Sequence, residues 1–344
     1  MSLTKVAVLI FDKGYHVGWR EPRRIIDHTT LLRAFIYVAY LTGCIRCVEL
    51  IEKGRLAASA LLPTVKTASG CLKLLAPFPQ IPCLGKAARL RGLFVSLSTL
   101  REILQVVSKC YNGGGAPIAF EVSVERKVVI RCTNVKDLKL ELKRVKSIAC
   151  LNKLDKDCSI IVDQIPLQFF MQISEHRNRV DRITGAADVY EVYGVQPQTP
   201  LWTLVMGSNE ALDCAMNLLK ILQKFGIGGL RSRGWGRFRI EIDTKICDDD
   251  EDILRLYSGW STGFNYLLGS MPPGDWLDLE HSYAVKDVIM GRAGPSNNEY
   301  IVPIIYVMDV GAVVYTKDVP QPYIISLSGG RAIYIFNPVV IHAT

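Results

Sequence analysis

Apolar and polar positions alternate along this chain with two periods, and the changes of period mark its elements. Residues 5–11 form a short apolar, β-rich run ending at Asp12-Lys13-Gly14, which predicts a first strand. The spacing of Leu31, Phe35, Val38 and Ala39 predicts a helix over 30–41. Ile118, Phe120, Val122 and Val124 alternate with Ala119, Glu121, Ser123 and Glu125, the period of a half-buried strand. Further strands are predicted at 189–195, 201–206, 301–308 and 332–336. Over 208–225 the apolar residues Leu212, Ala215, Met216, Leu219 and Leu222 keep a helical spacing, with Ser208 as N-cap, Glu210 and Asp213 early, and Lys220 and Lys224 late. Then 236–243 alternates Phe238, Ile240 and Ile242 with Arg237, Arg239 and Glu241, a strand again.

Between that helix and strand runs Phe225-Gly-Ile-Gly-Gly-Leu-Arg-Ser-Arg-Gly-Trp-Gly-Arg-Phe-Arg239, with no carboxylate in it. Glycine lets backbone adopt positive φ and approach a ligand, successive amides can then face an anion, and arginine adds a forked donor. The order is helix, loop, strand, whereas a nucleotide P-loop or a Rossmann turn runs strand, loop, helix. Gly229 and Gly234 lack the following Lys and Ser/Thr, and Arg231 stands where a third Rossmann glycine would be, so both nucleotide motifs are excluded. A plainer reading makes Gly226 a helix C′ residue and the rest solvated turn residues, but neither a cap nor a turn requires so many glycines and arginines together.

Composition changes this picture little. At 344 residues, 49% hydrophobic and 22% charged, the chain is globular and long enough for two domains. Its net charge of +8 is moderate, and basic residues gather at 20–24, 86–91, 177–182 and 224–239. The longest apolar stretch, 31–44, is interrupted by Arg33 and too short to span a bilayer, and the start shows no signal-peptide pattern, so a cytoplasmic location is expected. Ten scattered cysteines are read as buried thiols, a disulfide framework being expected only in a hyperthermophile. Cys44-x-x-Cys47 is the one metal-like spacing, but it has no second pair, so no metal and no cofactor is expected.

The run from Gly226 to Phe238 resembles the glycine-rich loop of the RAMP superfamily, the repeat-associated RNA-binding subunits of CRISPR effector complexes. His176-Arg-Asn-Arg-Val-Asp-Arg-Ile-Thr-Gly-Ala-Ala187 is similar to the Asn-Arg-Ile-Asp-Arg-x-Thr segment of the subunit that caps the guide RNA 5′ end in type III Csm-type complexes. The stretch 72–82, with Ala76-Pro-Phe-Pro-Gln-Ile-Pro82, is similar to that family's proline-rich segment, and Lys86, Arg89, Arg91 and Phe94-Val-Ser-Leu follow it as in the family. One departure is Asp27-His28-Thr29-Thr30-Leu31, where such proteins often carry Ser-Asp-Thr-Leu.

The element order suggests an α+β chain of two ferredoxin-like, RNA-recognition-type modules, and the resemblance raises that reading above its alternatives. With the break Asn112-Gly-Gly-Gly-Ala-Pro117 as first boundary, the expected units are 1–115, 116–245 with the glycine-rich loop, and a β-rich 246–344 packed on the second. The resemblance implies a non-catalytic subunit that binds the repeat-derived 5′ tag of guide RNA and contacts a large signature subunit and a backbone RAMP subunit, with no membrane partner. The implied RNA-binding residues are Gly226, Gly228, Gly229, Arg231, Ser232, Arg233, Gly234, Trp235, Gly236 and Arg237, with Arg179, Arg182 and Thr184 as a second wall. Trp235 is either a stacking platform or a core anchor for the loop. The alternative function is a metal-independent endoribonuclease acting on repeat RNA, with Tyr15 and His16 as general acid and base.

Overall fold

The computed structural model describes residues 3–18, 22–84, 90–122, 124–151, 165–180, 183–241, 244–290, 303–326 and 333–343. The chain begins with β1 (Leu3–Phe11), α1 (His28–Leu41), α2 (Ile45–Glu52), β2 (Leu56–Ala58) and β3 (Leu62–Lys66). Next come β4 (Leu72–Pro77), β5 (Phe94–Ser96), α3 (Leu97–Asn112), β6 (Pro117–Val122), β7 (Lys127–Cys132), β8 (Lys139–Val145) and β9 (Ile148–Leu151). A long hairpin of β10 (Phe170–Val180) and β11 (Ala187–Pro197) follows, then β12 (Leu201–Gly207), α4 (Asn209–Phe225) and β13 (Phe238–Glu241). The C-terminal part holds α5 (Asp248–Tyr257), β14 (Gly263–Leu267), β15 (Leu277–Tyr283), β16 (Lys286–Ile289), β17 (Ile305–Met308), β18 (Val313–Thr316), β19 (Tyr323–Ser326), β20 (Ile333–Phe336) and β21 (Val340–His342).

The fold is α+β, and its main sheet runs β13-β1-β12-β3-β4-β5-β9-β8-β7-β6, with β2 also pairing β12. β1 is antiparallel to both β12 and β13, and β12 is antiparallel to β2. Counted as strands 4-1-3-2, the set β13-β1-β12-β2 with α1 and α4 is a ferredoxin-like module. It is discontinuous in sequence, because β3 to β11 lie between its second and third strands.

This corrects the expected division of the chain. β12, α4 and β13 join β1 and α1 rather than completing a set with β6. The boundary expected at 115 lies between α3 and β6, which share one core through Leu100, Ile103 and Ala119. Among the described residues β5 to β9 carry α3 alone, in the order β5-β9-β8-β7-β6 with β5 and β9 parallel, so this region does not repeat the first module.

Two-sided burial explains why β12 reads as a continuous apolar run. Leu201 and Val205 pack with α1 and α4, while Trp202 and Leu204 pack with α3 and with Phe264, Tyr266, Val313 and Ile341 of the C-terminal part. Period-2 alternation therefore has no polar face to display. The predicted α4 starts where Ser208 caps it, its side chain accepting from the Ala211 N–H at 3.3 Å.

The cysteines also depart from expectation. Disulfides join Cys47 to Cys214, Cys71 to Cys247 and Cys110 to Cys132, across sequence separations of 167, 176 and 22 residues. Linear spacing hides such pairs, since it is the insertion that returns α4 to α2 and α5 to β4. Cys44 and Cys83 are free, and Cys47 of the metal-like spacing is committed to its disulfide.

Candidate nucleic-acid interface

The glycine-rich run folds into an inner and an outer layer at the end of α4. Gly226 leaves the helix with φ +77°, its N–H bonded to the Leu222 carbonyl at 2.7 Å. In the inner layer Ile227, Trp235 and Phe238 are buried, and the Ile227 N–H donates to the Gly236 carbonyl at 2.9 Å, closing the loop on itself. In the outer layer Arg231–Arg233 form one 3-10 turn between Leu230 and Gly234, both left-handed. Ser232, Arg233 and Arg237 are exposed and Arg231 is half-buried. Glycine is required most at Gly228 (φ +90°) and Gly236 (φ +73°), where a Cβ would also collide with the carbonyl oxygens of His16 and Ile227 respectively.

The segment after β1 is the seam between this loop and the hairpin. Tyr15 and Val195 exchange both backbone hydrogen bonds, each at 2.8 Å. On the other side the Gly229 N–H donates to the His16 carbonyl at 2.7 Å and the Gly236 N–H to the Gly14 carbonyl at 3.0 Å. The His16 Nδ1 lies 2.7 Å from the Tyr193 carbonyl, so this ring nitrogen donates. Tyr15 is fully buried and donates its hydroxyl to the Arg24 carbonyl; burial pushes the phenol pKa well up, so it stays neutral. Both members of the pair considered for acid–base chemistry thus have structural bonds.

Other expectations shift with this geometry. Trp235 is an anchor: it is 0% exposed and its indole lies over Gly194, where a Cβ would collide with the ring. It offers no face for a base to stack on. The amides of Ile227, Gly229, Gly234 and Gly236 are bonded within the protein, so these glycines shape the loop and do not present their N–H groups outward.

What faces the loop is one side of the hairpin. In the β10–β11 register Arg177 is opposite Tyr190 and Arg179 opposite Asp188, which puts these four on one face. Between that face and the loop is a cleft of about 560 Å³ lined by Asn178, Arg179, Asp188, Tyr190 and Arg233. The Arg233 guanidinium lies 5.7 Å from the Tyr190 ring centroid, and that of Arg231 lies 4.9 Å from Tyr37 on α1. Arg179 and Arg233 of the loop therefore line the same cleft. Thr184 sits in the turn beyond the cleft, where its Oγ1 accepts from the Ala186 N–H at 3.3 Å. Arg182 lies outside the described residues, as do Arg20, Lys86 and Arg89 of the other basic clusters.

Several basic side chains around this cleft are neutralised by carboxylates. Lys13 and Arg177 both bond Glu175 and hold its carboxyl below the ordinary value, Arg23 pairs with Asp287 at 2.8 Å, Arg239 with Asp12 at 3.3 Å, and Arg144 with Glu121. Among the described residues Arg179, Arg231, Arg233 and Arg237 have no ion pair. Sequence reasoning missed Tyr37, Asn178, Asp188 and Tyr190, although the alternation of β11 carried the signal for the last two.

With this geometry in view, residues 98–239 match the family model of the RAMP superfamily, a span from α3 through the loop into β13. That match and the ferredoxin-like fold support the superfamily resemblance read from the sequence. More particularly, the chain is similar to a chain in the crystal structure of a Csm3-Csm4 subcomplex of the type III-A CRISPR-Cas interference complex, at 14% identity, 98% coverage of both chains and a TM-score of 0.59. A chain of a Csm1-Csm4 cassette in complex with cA4 aligns over 99% of both chains at 12% identity with a TM-score of 0.48. At 14% identity the first of these likenesses speaks for the fold alone. No curated protein matches the sequence. No helix among the described residues is long and apolar enough to cross a membrane.

Proposed function

We propose that this chain is a non-catalytic subunit of a type III CRISPR effector complex that binds the repeat-derived 5′ tag of the guide RNA in the cleft between the glycine-rich loop and the hairpin. The large signature subunit and a backbone RAMP subunit dock on it, in the cytoplasm. The observation that carries this reading is that Arg179 and Arg233, neither in an ion pair among the described residues, line one cleft, with Arg231 and Arg237 likewise without an ion pair on the adjoining loop, while nearby Lys13, Arg177 and Arg239 are paired with carboxylates. Single-stranded RNA is held by such guanidinium–phosphate contacts together with stacking on aromatic or guanidinium planes. Here Gly226, Gly228, Gly229, Gly234 and Gly236 set the loop's shape, Trp235 fixes it to the hairpin, and Arg231, Ser232, Arg233 and Arg237 meet the RNA with Arg179 across the cleft; the resemblance adds Arg182 and Thr184 to the contacts.

The test is made in the assembled complex, comparing guide RNA with its natural tag against the same RNA with a scrambled tag. Tighter binding of the natural tag is expected; equal affinity overturns the assignment. Incubation with repeat RNA in a chelator, followed by analysis of the RNA, is expected to show no defined cleavage products, and their appearance would favour the endoribonuclease alternative.

A further inference from the structure

The cleft contains one feature that phosphate binding does not use. Asp188 is the only carboxylate among its lining residues, the rest being Asn178, Arg179, Tyr190 and Arg233. In a site for phosphates alone a carboxylate repels the ligand. Neutralising Arg179 would explain it, since the two are direct register partners, yet no ion pair joins them and Asp188 is exposed to the cleft without a partner among the described residues. Beside it the Tyr190 ring and the Arg233 guanidinium form a stacking surface at the loop's outer layer.

We propose that this corner is a guanine-selective subsite, in which Tyr190 and Arg233 hold a splayed base by stacking and Asp188 reads its Watson–Crick edge. The inference rests on the RNA-binding reading above. Two carboxylate oxygens accept two parallel N–H bonds, and guanine presents two adjacent donors, N1–H and the N2 amine, on that edge. Adenine and cytosine each present one donor beside an unprotonated ring nitrogen, and uracil one N–H between two carbonyls, so each would set a lone pair against the carboxylate. Arg179 and the loop arginines hold the flanking phosphates, so affinity and selectivity come from different side chains.

The experiment uses the assembled complex and guide RNAs in which each tag position in turn carries guanine, inosine, adenine or uracil. At one position guanine is expected to bind about tenfold to a hundredfold tighter than adenine, as for other bidentate base contacts. Inosine, which lacks the N2 amine, falls between them. In Asp188→Asn, where one acceptor becomes a donor, the preference at that position shrinks below about threefold while affinity for the adenine-bearing RNA is kept, because the stacking and phosphate contacts remain. Tyr190→Leu weakens all four RNAs alike. A guanine preference unchanged in Asp188→Asn, or no preference at any position, overturns the subsite. Those results are distinguishable from failure of the tag reading, in which natural and scrambled tags bind equally in the unsubstituted protein.

Discussion

The start of α1 and the end of α4 are both polar segments at helix ends, yet one is sealed inside the protein and the other is open. At the first, Asp27 caps α1 at 5% exposure beside fully buried His28. Its carboxylate accepts from the Ser270 N–H at 2.9 Å, the Ser270 hydroxyl at 2.8 Å and the Thr29 hydroxyl at 2.9 Å. The Asn337 N–H donates to His28 Nε2 at 3.2 Å, which leaves Nδ1 to donate to Asp27. Burial alone would raise the Asp27 carboxyl, but His28 and the Ser270 bonds outweigh it and hold the group well below the usual range. These bonds stitch α1 to the C-terminal part. At the glycine-rich loop the amides of Gly226, Ile227, Gly229, Gly234 and Gly236 are bonded within the protein, while Arg231, Arg233 and Arg237 have no ion pair among the described residues. Saturated polar groups mark architecture here, and the unpaired guanidinium groups are the ones left available to a ligand under the proposed function.

The largest effect expected from this contrast is at Asp27. Asp27→Ala removes one side of a buried network and strands the Ser270 and His28 donors, a loss of about 3–5 kcal/mol. Because the folded carboxyl is depressed, its contribution is complete above the ordinary carboxylate value and is lost only as pH falls through its folded value in strong acid. Thermal or urea unfolding at neutral pH checks the size. A change below about 1 kcal/mol would mean the cluster is not the stitch that its bonds imply.

Asp309 provides an intermediate case, a mostly buried carboxyl with an incomplete set of partners. Burial and then the nearby Asp287 push it up from 3.8 to about 6, against a bond from the Val310 N–H at 2.8 Å. Its folded pKa exceeds the unfolded one, so it disfavours folding progressively as pH rises from about 4 through 6. Asp309→Asn is expected to stabilise the protein by up to about 3 kcal/mol at neutral pH and by nothing near pH 4. Unfolding midpoints across that range read the difference directly, and a pH-independent effect would rule out the titration as its cause.

Within the loop, inner and outer glycines should separate. Gly236→Ala imposes a Cβ at positive φ against a backbone carbonyl that has no room to move, a cost toward the upper end of about 1–3 kcal/mol with loss of RNA binding. Gly234 also has positive φ, but nothing lies within 4 Å of its would-be Cβ. Gly234→Ala should therefore cost only the left-handed strain, about 1–2 kcal/mol. Equal losses at the two positions would show that conformation alone, and not close approach, sets the requirement.

Local features of this site were legible in the sequence because they are written in consecutive residues. The α4 spacing, the Ser208 cap, the strand after the loop and the cationic run all have short-range signatures. Trp235 was ambiguous because its direction is decided by Gly194, a residue 41 positions away by number that leaves space for the indole. The amides could not be assigned, since their acceptors on Gly14 and His16 belong to the far end of the chain. The module division and the disulfides Cys47–Cys214 and Cys71–Cys247 share that cause: pairing β1 with β12 brings together residues about two hundred positions apart, which no periodicity encodes.

The smallest effect on folding should come from the outer arginines, and that makes them the sharpest test of the comparison. Replacing Arg231, Arg233 and Arg237 together by alanine removes the contacts of Arg231 with Tyr37 and of Arg233 with Tyr190, each about 0.5–1 kcal/mol at an exposed site, and breaks no ion pair among the described residues. RNA binding should respond differently. Each neutralised phosphate of a single strand contributes about 0.7 to the logarithmic salt slope, so the triple variant should flatten that slope by up to roughly two units. Affinity then falls most at low salt and converges on the unsubstituted protein as salt rises, because screening removes the same charge term from both. A titration over several salt concentrations, with circular dichroism to confirm folding, measures this. Weakening by one constant factor at every salt concentration would reject charge as the outer layer's contribution, and would assign the loss to stacking on Tyr190 or to a rearranged loop.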